Sequence, residues 1–227
     1  MEEKIILILH GWGSSSQRWV NVKSYLEKGG FRVNIPDLPG FGESPPPKDA
    51  WSIDNYVEWA RTYCERQNFS QIFLLGHSFG GAIAVKFALK YPEKIIKMFL
   101  VAPALIRVKT LKKKIINKTA KFFSFLPNST KKVIYGSVLK SDYPLKAGTM
   151  RDIFQRVIAE DVSPRLSEIQ TPTIIIWGKN DDVTPLKDAY LINKKIHGSK
   201  LIIIENQGHD LNRKVPELLA EKVLENL

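Results

Sequence analysis

The stretch LLGHSFGG, residues 74–81, decides how this chain is read. An apolar run, Ile72–Leu75, stops at a glycine, and a helix-compatible run over residues 80–90 begins just after it. Gly76, Ser78 and Gly80 fit G-x-S-x-G in the strand-to-helix context that the pattern requires. In such a turn the serine takes a strained backbone conformation, so its hydroxyl projects from the tip. Residues two positions to either side come close to it, and a Cβ there is expected to clash. The helix that follows brings its positive end near Ser78. Taken alone, the stretch also fits a glycine-rich turn with an idle serine, so the rest of the chain must supply partners.

Short apolar runs recur on both sides of this turn: Ile5–Leu9, Phe31–Ile35, Ile72–Leu75, Ile95–Val101, Thr173–Trp177 and Leu201–Ile204. Most are nearly continuous in apolar residues, as expected of parallel strands covered on both faces. The patterning between them predicts helices over about 18–28, 52–67, 80–90, 186–196 and 215–226. The helix over 80–90 should stop at Tyr91, because Pro92 disfavours the helical region for its predecessor. Alternating strands and helices imply an α/β class, with an open, mostly parallel sheet and right-handed crossovers.

The rhythm breaks between Val101 and Thr173. LKKKIINKTAKFFSFL (111–126) and MRDIFQRVIAED (150–161) read as helices, and no comparable strand separates them. The expected organisation is a core first part (1–103), a helical cap insertion (104–166) and a core second part (167–227). Pro45–Pro47 stiffens a surface loop.

The 227 residues, 44% hydrophobic and 25% charged, suffice for one sizeable core. Cys64 is the only cysteine, which removes any intramolecular disulfide and fits a reducing compartment. The start, MEEKIILILHG, lacks a signal-peptide layout, and no run reaches the roughly 20 apolar residues of a spanning helix. The chain reads as cytoplasmic.

A serine hydroxyl is a weak nucleophile and needs a base. Of the four histidines, His10 follows the first strand, His77 lies inside the turn, and His197 sits at a lysine-rich helix end. His209, in ENQGHD, combines a strand-end loop with a late chain position. A third group must orient the imidazole. Asp181 and Asp182 lie in WGKNDDVTP, just past the strand ending at Trp177. Asp181 is the preferred acid, and Asp182 is its solvent-facing neighbour or a helix cap. No acidic residue follows the 95–101 strand, where APAL stands. The chain order is then Ser78, Asp181, His209, all just past strand ends. For a developing oxyanion, one donor is the backbone N–H of Phe79. The second is Trp12 N–H, in the loop His10-Gly11-Trp12-Gly13, whose glycines allow close backbone approach.

These motifs together resemble the α/β-hydrolase superfamily over residues about 4–103 and 167–227. HGWG is similar to its oxyanion loop and DLPGFGES (37–44) to the loop after the next strand. GHSFGG, WGKNDD and QGH resemble its nucleophile, acid and base loops. The resemblance implies the α/β-hydrolase fold and a Ser-His-Asp triad. With the chain starting at the HG strand, the family's first two strands are expected to be missing, leaving about six. Serine at 78 sets it apart from the branches that resemble it but carry aspartate there. The family uses this apparatus on esters, amides, thioesters and carbon–carbon bonds. The expected activity is a carboxylesterase-like serine hydrolase working through an acyl-enzyme. HGWG and DLPGFG are also similar to esterases acting on an acyl-carrier-protein methyl ester. A non-catalytic ligand sensor or partner-binding module on the same fold is the alternative from another class.

The net charge of +11 is concentrated in one segment: residues 103–168 hold 14 Lys or Arg against 5 Asp or Glu. In 111–126, Leu111, Ile115, Phe122 and Leu126 share one helical face while Lys112, Lys113, Lys114, Lys118 and Lys121 lie elsewhere. That pattern suits a cap helix with a solvated lysine face, and leaves an acidic substrate or acyl carrier protein as a partner. Lysine outnumbers arginine 25 to 9 and no nucleic-acid module is visible, so nucleic acid is not an expected partner; membrane-surface binding is a lesser reading of the same lysine face. Trp12, Phe122, Phe123 and Phe125 are the expected lining of an apolar acyl site. No metal cluster, phosphate loop or dinucleotide fingerprint implies a cofactor.

Overall fold

The computed structural model describes residues 4–106 and 148–227. Within them six strands form one sheet: β1 (Ile5–Leu9), β2 (Arg32–Asn34), β3 (Ile72–His77), β4 (Ile95–Val101), β5 (Thr173–Gly178) and β6 (Lys200–Ile204). The order is β2-β1-β3-β4-β5-β6 and every pairing is parallel. The helices are α1 (Val20–Lys28), α2 (Ile53–Arg66), α3 (Phe79–Lys90), α4 (Thr149–Ala159), α5 (Leu186–Lys195), α6 (Leu211–Lys214) and α7 (Pro216–Leu224).

Successive side chains of a strand point to opposite faces, so a continuous apolar run feeds two cores at once. Leu7, Leu9, Leu74, Leu100, Ile175 and Trp177 pack on one face with residues of α2, α3 and α5. Ile6, Ile8, Leu75, Phe99, Val101 and Ile176 pack on the other with Val22 and Leu26 of α1 and Leu219 and Val223 of α7. The central helix α3 has nine of its twelve residues buried, so it is apolar nearly all round. Its half-buried Lys86 is held by Asp54 at 2.7 Å and by Glu160, which ties α2 and the end of α4 to α3. As expected, α3 ends at Tyr91, before Pro92.

Some boundaries differ from the sequence expectation. β2 is three residues long rather than five; it is an edge strand, and the Pro36 that follows Ile35 has no N–H for a ladder. β3 and β5 run beyond their apolar stretches to His77 and Gly178, which delivers each strand directly into a loop carrying a candidate site residue. Of the segment 104–166, α4 and the short 3₁₀ helix that begins at Ser163 are described. Ile153 and Val157 of α4 join the core cluster of α2 and α3, and Val162 N–H donates to Leu105 C=O at 3.1 Å. The predicted helix over 111–126, with Phe122, Phe123, Phe125 and its lysines, lies outside the described residues. Among the described residues no helix is long and apolar enough to cross a membrane.

Candidate active site

The strand order brings the candidate residues together. β1 neighbours β3 while the chain continues from β1 to β2 on its other side, so the order reverses there, and open α/β sheets bind ligands at such a point. The C-terminal ends of β1 and β3 carry Trp12 and Ser78. Across β4, those of β5 and β6 carry Asp181 and His209.

Ser78 sits between β3 and α3 at φ 52° and ψ −114°. This conformation is rare for a non-glycine residue and costs about 1–3 kcal/mol, held only because its surroundings over-determine it. Ser78 N–H donates to Val101 C=O at 3.1 Å, and its own carbonyl accepts from Gly81 and Ala104 N–H, each at 3.0 Å. As expected, a Cβ on either turn glycine would clash, and the nearest atoms it would meet belong to β1 and α3. A Cβ on Gly80 would lie 2.0 Å from the Leu9 carbonyl oxygen, at the end of β1. One on Gly76 would lie 2.5 Å from Gly80 O and 2.8 Å from Ala84 Cβ. The glycines let the turn press against β1 and α3, and that close packing fixes the serine.

His209 Nδ1 lies 2.8 Å from Asp181 Oδ2. The proton between them therefore belongs to Nδ1, and Nε2 is left with its lone pair. Asp181 Oδ1 accepts the N–H groups of Val183 and Thr184, each at 2.8 Å. Oδ2 also accepts the Thr184 hydroxyl at 2.8 Å. Burial alone would raise this carboxyl, but the His209 bond and charge and the Thr184 donors hold it below its ordinary value. Asp182 is exposed beside it. The structure thus sets Asp181 against His209. His197 is exposed at the end of α5. Among the described residues the imidazole's hydrogen-bond partners are Asp181 and Thr184, and Ser78 Oγ is not one of them.

The loop after β1 turns tightly, with Ser14 N–H donating to Gly11 C=O at 3.2 Å. Gly11 lies against the Ser78 turn: a Cβ there would be 3.2 Å from Ser78 Cβ. Among the described residues neither Trp12 N–H nor Phe79 N–H has an acceptor. The loop is fixed by buried His10, whose Nδ1–H donates to Gly11 C=O at 2.9 Å while Nε2 accepts Leu38 N–H at 3.0 Å. Asp37 accepts Ser16 N–H at 2.6 Å and Glu43 N–H at 2.9 Å, joining the HGWG loop to DLPGFGES. An aromatic wall rises beside Ser78. The Trp12 ring lies 4.8 Å from Phe41, 5.4 Å from Phe79 and 5.1 Å from Phe154 of α4.

Sequence reading missed two groups. Thr184, three residues after Asp181, fits the common pattern of a carboxylate capping the amides that follow it, and Asp-x-x-Thr was its signal. Phe154 and Met150 carry only a helical signal in the sequence; that they face the HGWG and DLPGFGES loops is a tertiary fact. Among the described residues no group of His, Cys, Asp and Glu could hold a metal ion.

Comparison with known proteins finds relatives among lipases and other hydrolases. The chain is 28% identical to Lipase 1 of Psychrobacter immobilis over 90% of this chain and 70% of that one. It is 26% identical to the 2-hydroxy-6-oxononadienedioate/2-hydroxy-6-oxononatrienedioate hydrolase of Klebsiella pneumoniae, over 91% of this chain and 81% of that one. The fold matches a solved esterase from Exiguobacterium antarcticum with a TM-score of 0.80 at 21% identity, covering 99% of this chain and 92% of that one. The model of the alpha/beta hydrolase fold family matches residues 4–138, more than half of the sequence. With a parallel six-stranded sheet, a strained serine at its switch point and that match, the chain belongs to the α/β-hydrolase family.

Proposed function

We propose that this protein is a serine hydrolase that cleaves an acyl ester through an acyl-enzyme. The observation that carries the reading is the pairing of His209 Nδ1 with Asp181 Oδ2 at 2.8 Å, beside a serine held at φ 52°. In this reading His209 Nε2 takes the Ser78 proton as Oγ attacks the acyl carbon. Trp12 and Phe79 N–H hold the oxyanion, each such donor contributing about 3–4 kcal/mol to the transition state. The alcohol leaves with the proton from His209, and water, activated the same way, releases the acid.

The aromatic wall of Trp12, Phe41, Phe79 and Phe154 supports an apolar acyl group more than a dicarboxylate such as the one in the Klebsiella relative's name. Lipase 1 of Psychrobacter immobilis points the same way. A p-nitrophenyl ester series of increasing acyl length tests the proposal. Many turnovers per protein, lost in Ser78→Ala, are expected. Binding with no turnover beyond one equivalent would favour a sensor instead.

A further inference from the structure

His77 has no part in the chemistry above, yet it is buried within the site. Its Nε2 lies 3.1 Å from the carbonyl oxygen of His209, a bond between residues 132 apart in the chain. Its ring is 4.9 Å from the His209 ring and 5.6 Å from Trp19, edge to face. Nδ1 is buried without a hydrogen-bond partner among the described residues. The tautomer follows from these contacts. The carbonyl only accepts, so the proton is on Nε2, and Nδ1 faces Gly11 with its lone pair; a Cβ on Gly11 would lie 3.1 Å from it. Burial, reinforced by the nearby His209, pushes the His77 pKa down to about 3, so the ring stays neutral.

Most sequence-distant ties of the base loop run elsewhere. Asn212 donates to Arg18 C=O at 3.0 Å, and Asn180 N–H to Gln207 C=O at 2.8 Å, but both reach the flanks of the loop. The bond to His209's own carbonyl comes from the residue next to the nucleophile. We propose that His77 is a positioning residue: its Nε2–H fixes the His209 backbone, and its ring the His209 imidazole, at a set distance from Ser78. A shared anchor of this kind makes the serine and the base move as one unit. Displacements near 1 Å in such constellations cost on the order of 100-fold in rate.

The inference rests on the proposed serine hydrolase reading, and one set of variants separates the two. His77→Leu keeps bulk and removes the donor; His77→Gln keeps an N–H near the Nε2 position; His77→Asn keeps an amide too short to reach. The readouts are kcat and KM on a p-nitrophenyl ester and the rate of Ser78 labelling by a fluorophosphonate. His77→Leu should lower kcat and labelling rate at least 10-fold with KM within about 2-fold, and His77→Gln should recover most of both. If His77→Leu does not fold, Gln should still exceed Asn at least 5-fold in kcat. A folded Leu variant with kcat within 2-fold of wild type overturns the inference, as does equal kcat in Gln and Asn. Turnover that persists in Ser78→Ala overturns the hydrolase reading itself, whatever the His77 variants do.

Discussion

Replacing Asp181 by Asn asks which proton His209 carries. In the native site the carboxylate accepts four donors: Val183 and Thr184 N–H on Oδ1, and the Thr184 hydroxyl and His209 Nδ1–H on Oδ2. An amide has one oxygen and one NH2. Two backbone N–H groups cannot turn away, so the amide oxygen must take the Oδ1 position and the NH2 the Oδ2 position. There it meets Thr184 Oγ1, which can rotate to accept, and His209 Nδ1. The NH2 donates to Nδ1, and the imidazole proton moves to Nε2, the atom that accepts from Ser78 in the proposed mechanism. A wrong-tautomer base of this type loses about 10⁴ in kcat in the analogous protease triad, and a loss of about 10³–10⁴ is expected here. All four hydrogen bonds are re-formed, two of them with donor and acceptor exchanged, so the urea midpoint should move little. The assay is steady-state kcat on a short p-nitrophenyl ester, alongside urea unfolding and Asp182→Asn as the control. Asp181→Asn with more than a tenth of wild-type kcat would refute the tautomer argument. Asp182→Asn as the damaging change would reassign the acid.

Further outcomes follow from the packing and the titrating groups. Gly80→Ala should destabilise the protein by about 1–3 kcal/mol despite alanine's better helix propensity. Its Cβ meets backbone at 2.0 Å, and the β1 end must shift, carrying Trp12 N–H with it. A urea midpoint equal to or above wild type would contradict this. Stability should fall as pH drops below the ordinary histidine range, because the unfolded chain binds a proton at His77 that the folded state refuses until about pH 3. His10, also lowered by burial against the pull of its Gly11 bond and Asp37, adds in the same direction. Each such group costs on the order of 1 kcal/mol per pH unit. Urea midpoints at pH 7 and pH 5 should therefore differ, and differ less in His77→Gln; parallel midpoints in the two proteins would contradict the assignment.

Much of this was legible because the local signals were redundant. IILIL, IFLL and TIIIW can serve only as covered strands, and Gly76-His77-Ser78-Phe79-Gly80 sits where one such strand meets a helix. The order serine, aspartate, histidine could be read from strand-end positions, but the choice of Asp181 over its neighbour Asp182 rests on the tertiary contact with His209. What the turn glycines contact could not be read there, since Leu9 O and Ala84 Cβ are brought there by sheet pairing and helix packing. The same holds for His77, which reads as one more residue of the turn until β6's loop is folded against it. Thr184 is intermediate: its spacing from Asp181 suggests a cap, but its contact with His209 at 3.2 Å is tertiary.

The proposal that Ser78 is acylated has a direct measurement. Wild-type protein is mixed with p-nitrophenyl butyrate, acid-quenched within the first turnovers and digested, and the peptides are weighed. A butyryl adduct on the peptide carrying Ser78, absent in a Ser78→Ala protein that neither turns over nor unfolds, is the predicted result. An adduct on another residue, or undiminished turnover in Ser78→Ala, would contradict the account.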